Sequence, residues 1–119
     1  QVSGDFTYSI YTDNTARITK YRGVSAEVNV PEKIGSYTVV GIDKECFKEN
    51  KNIRKVTLPS TCKDIFLNAF LDSSLEELTL LADTVRVGEA AFSGCSSFKT
   101  LHFEGVFTDV GGKAFQHQG

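Results

Sequence analysis

Phenylalanine recurs at positions 47, 70, 92 and 115, at intervals of 23, 22 and 23 residues. An aliphatic residue stands five positions before each one: Ile42, Ile65, Val87 and Val110. A small residue immediately precedes each one: Cys46, Ala69, Ala91 and Ala114. Three features sharing one period constrain the fold more than any other property of the chain. The same short unit is built again and again, and no single unit buries its own apolar face. Stacking neighbours must do that.

After each of the first three phenylalanines comes a six-residue pattern of apolar, two polar, apolar, polar, apolar. The three copies are Ile53–Leu58, Leu75–Leu80 and Phe98–Phe103. Val56 and Leu58, two apart, put both side chains on one face of a strand, and Lys55 and Thr57 then face the other way. A 20–29-residue period with L-x-x-L-x-L predicts a leucine-rich repeat solenoid. The expected fold is a right-handed β/α superhelix of mostly short parallel strands. Second extended pieces are expected at 63–65 and 84–87. Short helical turns are expected at 68–72 and 89–93, with the phenylalanine plugging the interior.

The first residues read differently. Phe6–Ile10 and Ala16–Ile18 alternate around a turn at Thr12–Thr15, which predicts an N-terminal β-hairpin cap over residues 1–23. Residues 24–119 then form the solenoid: one atypical coil, three regular coils and the start of another, all in one structural domain. At the far end, Gln116-His117-Gln118-Gly119 supplies no further L-x-x-L-x-L and no obvious cap. An uncapped solenoid exposes the interior of its last coil. The tail folds over that coil, a partner covers it, the coil self-associates, or the chain is a piece of a longer array. His117 in this tail reads as mobile.

Ala91-Phe92-Ser93-Gly94-Cys95-Ser96-Ser97-Phe98 resembles the A-F-x-x-C-x-x-L block of the BspA-type, or Treponema-type, leucine-rich repeat family. Leu58-Pro59-Ser60-Thr61 is similar to its strand-end L-P-x-x, and Val87-Gly88 and Val110-Gly111 to its I-G step. The resemblance covers about residues 24 to 115. Leu81 and Glu104 stand in place of the proline, Phe66 in place of the glycine, and Asn50 and Ser73 where Cys95 stands. The resemblance implies a secreted or surface-attached protein of bacterial type, acting in adhesion, with no catalytic residues and no cofactor.

Composition and motif content point the same way. With 119 residues and a net charge of −2, the chain has no basic excess to hold a nucleic-acid backbone. Its longest apolar stretch, around Leu78–Ala82, is too short to span a bilayer. The chain lacks Met even at position 1 and reads as a mature or trimmed product. Cys46, Cys62 and Cys95 have no zinc-ligand spacing, and Cys46 occupies a buried small-residue slot; a Cys46–Cys62 bridge has no spacing logic behind it. G-x-S-x-G and Gly-rich phosphate loops are absent, and His102 is a lone outward imidazole, so no enzyme is expected. No metal site is expected either, since Asp13-Asn14 reads as a turn. The face most suited to a partner is the outward side of the stacked strands: Glu27, Asn29, Lys55, Thr57, Glu77, Thr79, Thr100 and His102. It is polar and free of aromatics, so a merely solvated sheet is the competing reading. The partner expected there is a protein, on a host matrix or a cell surface. The competing role is that of a spacer or end fragment of a longer surface repeat protein, with no ligand of its own.

Overall fold

A computed structural model describes residues 1–116. Among the described residues there are twelve strands: β1 (Val2–Ser3), β2 (Phe6–Ile10), β3 (Thr15–Tyr21), β4 (Glu27–Asn29), β5 (Lys33–Ile34), β6 (Tyr37–Ile42), β7 (Lys55–Leu58), β8 (Asp64–Ile65), β9 (Glu77–Leu80), β10 (Thr84–Val87), β11 (Thr100–Phe103) and β12 (Val106–Val110). They form two sheets. One is all-parallel, in the order β11-β9-β7-β4. The other runs β1-β2-β3-β6-β8-β10-β12, with β5 antiparallel on β6. Each of four coils takes one strand of the first sheet, one of the second, and a turn segment back to the first.

The predicted hairpin is β2–β3, antiparallel, and β3 pairs in parallel with β6. The hairpin therefore supplies the first rung of the larger sheet as well as covering the open end. Phe6 and Tyr21 carry this cover onto the interior: Phe6 tilts against Tyr21, and Tyr21 against Phe47 at 5.7 Å.

The interior is the phenylalanine ladder. Phe47, Phe70, Phe92 and Phe115 stack with centroids 4.8, 5.0 and 5.2 Å apart and planes within 10° of parallel. That spacing is the distance between neighbouring strands. A ring placed at a fixed point of the repeat must therefore stack on its counterpart. Ala69 and Ala91, ahead of their rings, are fully buried.

The turn segments depart from the expected helical turns: no helix occurs among the described residues. Alternate amides do two different things instead. Ala69, Leu71 and Ser73 N–H close four-residue turns onto the carbonyls of Phe66, Asn68 and Phe70. Asn68, Phe70 and Asp72 N–H donate across to Glu89, Ala91 and Ser93 of the next coil. The coils at 45–50 and 90–95 repeat the scheme. The physical reason is spacing. Coils stack about 4.8 Å apart, and an α-helix about 10 Å across cannot repeat at that interval. A flat ribbon of turns can. It requires left-handed backbone at recurring positions: φ is positive at Glu45, Asn68, Ala90 and Lys113, and again at Glu49, Asp72 and Gly94.

Candidate functional site

The parallel register of β4, β7, β9 and β11 lines up the eight outward side chains in two rows. Glu27, Lys55, Glu77 and Thr100 form one row, and Asn29, Thr57, Thr79 and His102 the other. The alternate residues, Val28, Val56, Leu58, Leu78 and Leu80, are buried. Alternation with a buried inner face fixes the register, because a one-residue slip would exchange the two sets. All eight lie on the outward side of this sheet, four of them exposed and four half-buried.

The rows are paired from within. Lys55 Nζ lies 4.0 Å from Glu27 Oε1, and His102 Nε2 lies 3.0 Å from Glu77 Oε2. Beside them, Glu76 sits between Arg54 and Lys99 at 3.9 and 3.8 Å. Exposed pairs of this kind add little stability, about 0–1 kcal/mol each. Along the first row Glu27, Lys55 and Glu77 alternate in charge. The backbone beneath is a continuous parallel ladder, and Glu27, Asn29, Lys55, Thr57, Glu77 and Thr79 line a shallow depression on it.

No group of three metal-ligating side chains occurs among the described residues. The three cysteines are free and buried. Loss of solvent pushes the Cys46 and Cys62 thiols up, Cys62 to about 12, and raises Cys95 as well. Cys95 donates to Phe70 O at 2.9 Å and lies 3.4 Å from Ser73 Oγ. These thiols fill space and close backbone bonds. They do not form a nucleophilic centre.

One surface was missed in the sequence, the outer row of the larger sheet: Arg17, Gly41, Asp64, Arg86 and Asp109 stand side by side. Asp64 accepts from Arg86 at 2.6 Å, which raises the Arg86 value above its ordinary one. The period-2 alternation of Ala16-Arg17-Ile18 marks Arg17 as outward. Its neighbours across the sheet could not be read from it. The last coil, expected to be open at its outer side, exposes apolar side chains. Leu101 is 40% exposed where Leu78 is 1%, and Val110 is 48% exposed where Val87 is 3%. Val106 is exposed too; Phe107 tilts against Phe115 and Phe103, and Phe98 stacks on Phe92.

Residues 26–118 match the family model described as BspA type leucine rich repeat region (6 copies). Solved structures of similar shape include a leucine-rich cell surface protein of Faecalibacterium prausnitzii A2-165, 28% identical with a TM-score of 0.85 over 98% of this chain. A leucine-rich repeat protein of Bacteroides ovatus is 25% identical, with a TM-score of 0.81 over 99% of this chain. The Treponema pallidum leucine-rich repeat protein, 23% identical at a TM-score of 0.64 over 94% of this chain and 64% of its own, shares the fold. The chain spans 34% of the Faecalibacterium protein and 33% of the Bacteroides ovatus protein. No curated protein matches it significantly.

Proposed function

Because the chain belongs to the BspA-type leucine-rich repeat family, we propose that it is a non-catalytic, adhesin-like binding module of a surface or secreted protein, engaging a host or cell-surface protein through its four-strand face. The observation that carries this reading is the double row of eight polar side chains on one rigid all-parallel sheet. Extended strand faces are what solenoids offer to partners. The likeness to a Faecalibacterium protein described as a cell surface protein supports the location. No helix among the described residues is long and apolar enough to cross a membrane.

The test is binding of the purified domain to a panel of matrix proteins and mucins by interferometry, with the Lys55→Ala/Glu77→Ala/His102→Ala variant alongside. All three positions are exposed or half-exposed, so the variant should melt like the parent. Binding lost in the variant supports the reading. Binding kept in the variant moves the site elsewhere, and no binding at all sinks the module reading.

A second reading has its own observation. Leu101, Val106 and Val110 are exposed on the last coil, and β11 and β12 are sheet edges. This favours a spacer within a longer array, whose next coil or a second copy covers that end. Sedimentation analysis distinguishes them: self-association that disappears in Leu101→Lys/Val110→Lys supports the open end, and a clean monomer at high concentration counts against its use between copies.

A further inference from the structure

We propose that the tip of the hairpin, around Tyr11, is a second binding site, remote from the four-strand face, for a neutral saccharide. Tyr11 is 38% exposed and forms the wall between two adjoining hollows. One is lined by Thr12, Asp13, Thr15, Arg17 and Asp64, the other by Ile10, Asn14 and Tyr37.

The wall is rigid. Tyr11 N–H donates to Thr15 O at 2.9 Å, Asn14 N–H to Tyr11 O at 3.2 Å, and Thr38 N–H to Asn14 O at 3.0 Å. Asn14 takes φ +64°, a conformation asparagine tolerates. Asp13 Oδ1 accepts from both the amide and the hydroxyl of Thr15. A tip held by its own backbone loses little freedom when a ligand arrives.

Arg17 is fixed from both sides. Its guanidinium carbon lies 4.9 Å from the Tyr11 ring centre and 4.3 Å from that of Phe66. Gly41 makes this possible: a Cβ there would stand 3.0 Å from Phe66 Cε2 and 3.5 Å from Arg17 Cγ. Asp64, two strands across, is engaged by Arg86. The Arg17 guanidinium therefore makes no ion pair among the described residues, and its N–H groups are left for something else.

The chemistry of the two hollows selects the ligand. Asp13 and Asp64 repel an anion, and Arg17 repels a cation. A sugar hydroxyl suits both, since it donates to a carboxylate and accepts from a guanidinium. The exposed ring surface of Tyr11, with Tyr37 in the adjoining hollow, offers an apolar platform to the C–H face of a pyranose. Rigid aromatic, carboxylate and guanidinium groups at one shallow site describe recognition of an uncharged polyol.

Affinity gel electrophoresis with mannan, galactan, xylan and glucan, and with polygalacturonate as the anionic control, tests this. The wild-type domain should be retarded by at least one neutral polysaccharide. Tyr11→Ala should weaken that binding about tenfold, and Arg17→Met should weaken it too, with unchanged circular dichroism. The Lys55→Ala/Glu77→Ala/His102→Ala variant should bind like wild type, so failure of this site and failure of the four-strand face are told apart. The proposal is overturned if no neutral polysaccharide retards the domain, if only polygalacturonate does, or if Tyr11→Ala and Arg17→Met bind like the parent.

Discussion

The ring at the centre of each coil is buried by two neighbours or by one, and its energetic weight should follow. Phe70 and Phe92 are within 1% of full burial, while Phe115 is only half-buried. Phe70→Ala and Phe92→Ala should each cost about 3–5 kcal/mol in urea denaturation. Phe115→Ala should cost distinctly less, and an equal loss there would show that the last ring is buried by something further. Ala90 gives the opposite sign. It holds φ +56° where the preceding coil has Asn68 at the same φ. A Cβ in this region costs about 1–2 kcal/mol, which asparagine recovers in part through its side chain. Ala90→Asn should therefore raise the midpoint of unfolding, and a lowered midpoint would contradict the assigned backbone. The thiols predict a pH dependence. Cys46 and Cys62 are held neutral by burial, so their folded values lie above the ordinary 9.0. The unfolded chain ionises first, and stability present below pH 9 should decline as pH rises towards about 12. Comparing denaturation at about pH 8 and about pH 10 checks this, and Cys46→Ala should flatten the slope. These thiols should also react with a disulfide reagent only on unfolding.

At the scale of the element, the strands were legible and the turns were not. Alternation in Lys55-Val56-Thr57-Leu58 and Glu77-Leu78-Thr79-Leu80 defines β7 and β9 almost to the residue, because period 2 has one structural meaning. A small residue followed by phenylalanine has several. Side chains at 69–70 and 91–92 suit a helical turn as well as a flat ribbon. What decides between them is the sign of φ at 68, 72, 90 and 94. Asn68, Asp72 and Gly94 are types that tolerate positive φ, and read together they were the available signal. The same flat packing explains the I-G step. A Cβ on Gly88 would stand 2.6 Å from Leu67 N, and one on Gly111 would collide with Glu89 N, both of them backbone. Gly88→Ala should cost about 1–3 kcal/mol through this overlap of coils. Gly112→Ala meets nothing within 4 Å and should stay within about 0.5 kcal/mol of the parent. Equal thermal melts for the two variants would sink the close-approach argument.

At the scale of the molecule, the period determined the solenoid and the eight-residue strand face, but the chemistry of the hairpin tip lay beyond it. Tyr11, Arg17 and Phe66 are 6 and 49 residues apart in sequence and meet only because β3 and β8 flank β6. A repeat pattern carries the positions that recur, and a site built from residues that occur once leaves no period to read. The same one-dimensional architecture predicts how stability is distributed. Each coil is held by its neighbours, so an end coil keeps about half the contacts of a central one. The N-terminal end is covered by Phe6 and Tyr21. At the C-terminal end Leu101 and Val110 are exposed at positions that every earlier coil buries. Unfolding should therefore begin there and travel towards the hairpin. Native-state hydrogen exchange should show the amides that Phe92 and Gly94 donate to the last coil opening first. Those of Phe47 and Glu49, donated two coil pairs earlier in the stack, should open close to the global free energy. Uniform protection across the coils would mean that the stack unfolds all at once and that the last coil is as well supported as the rest.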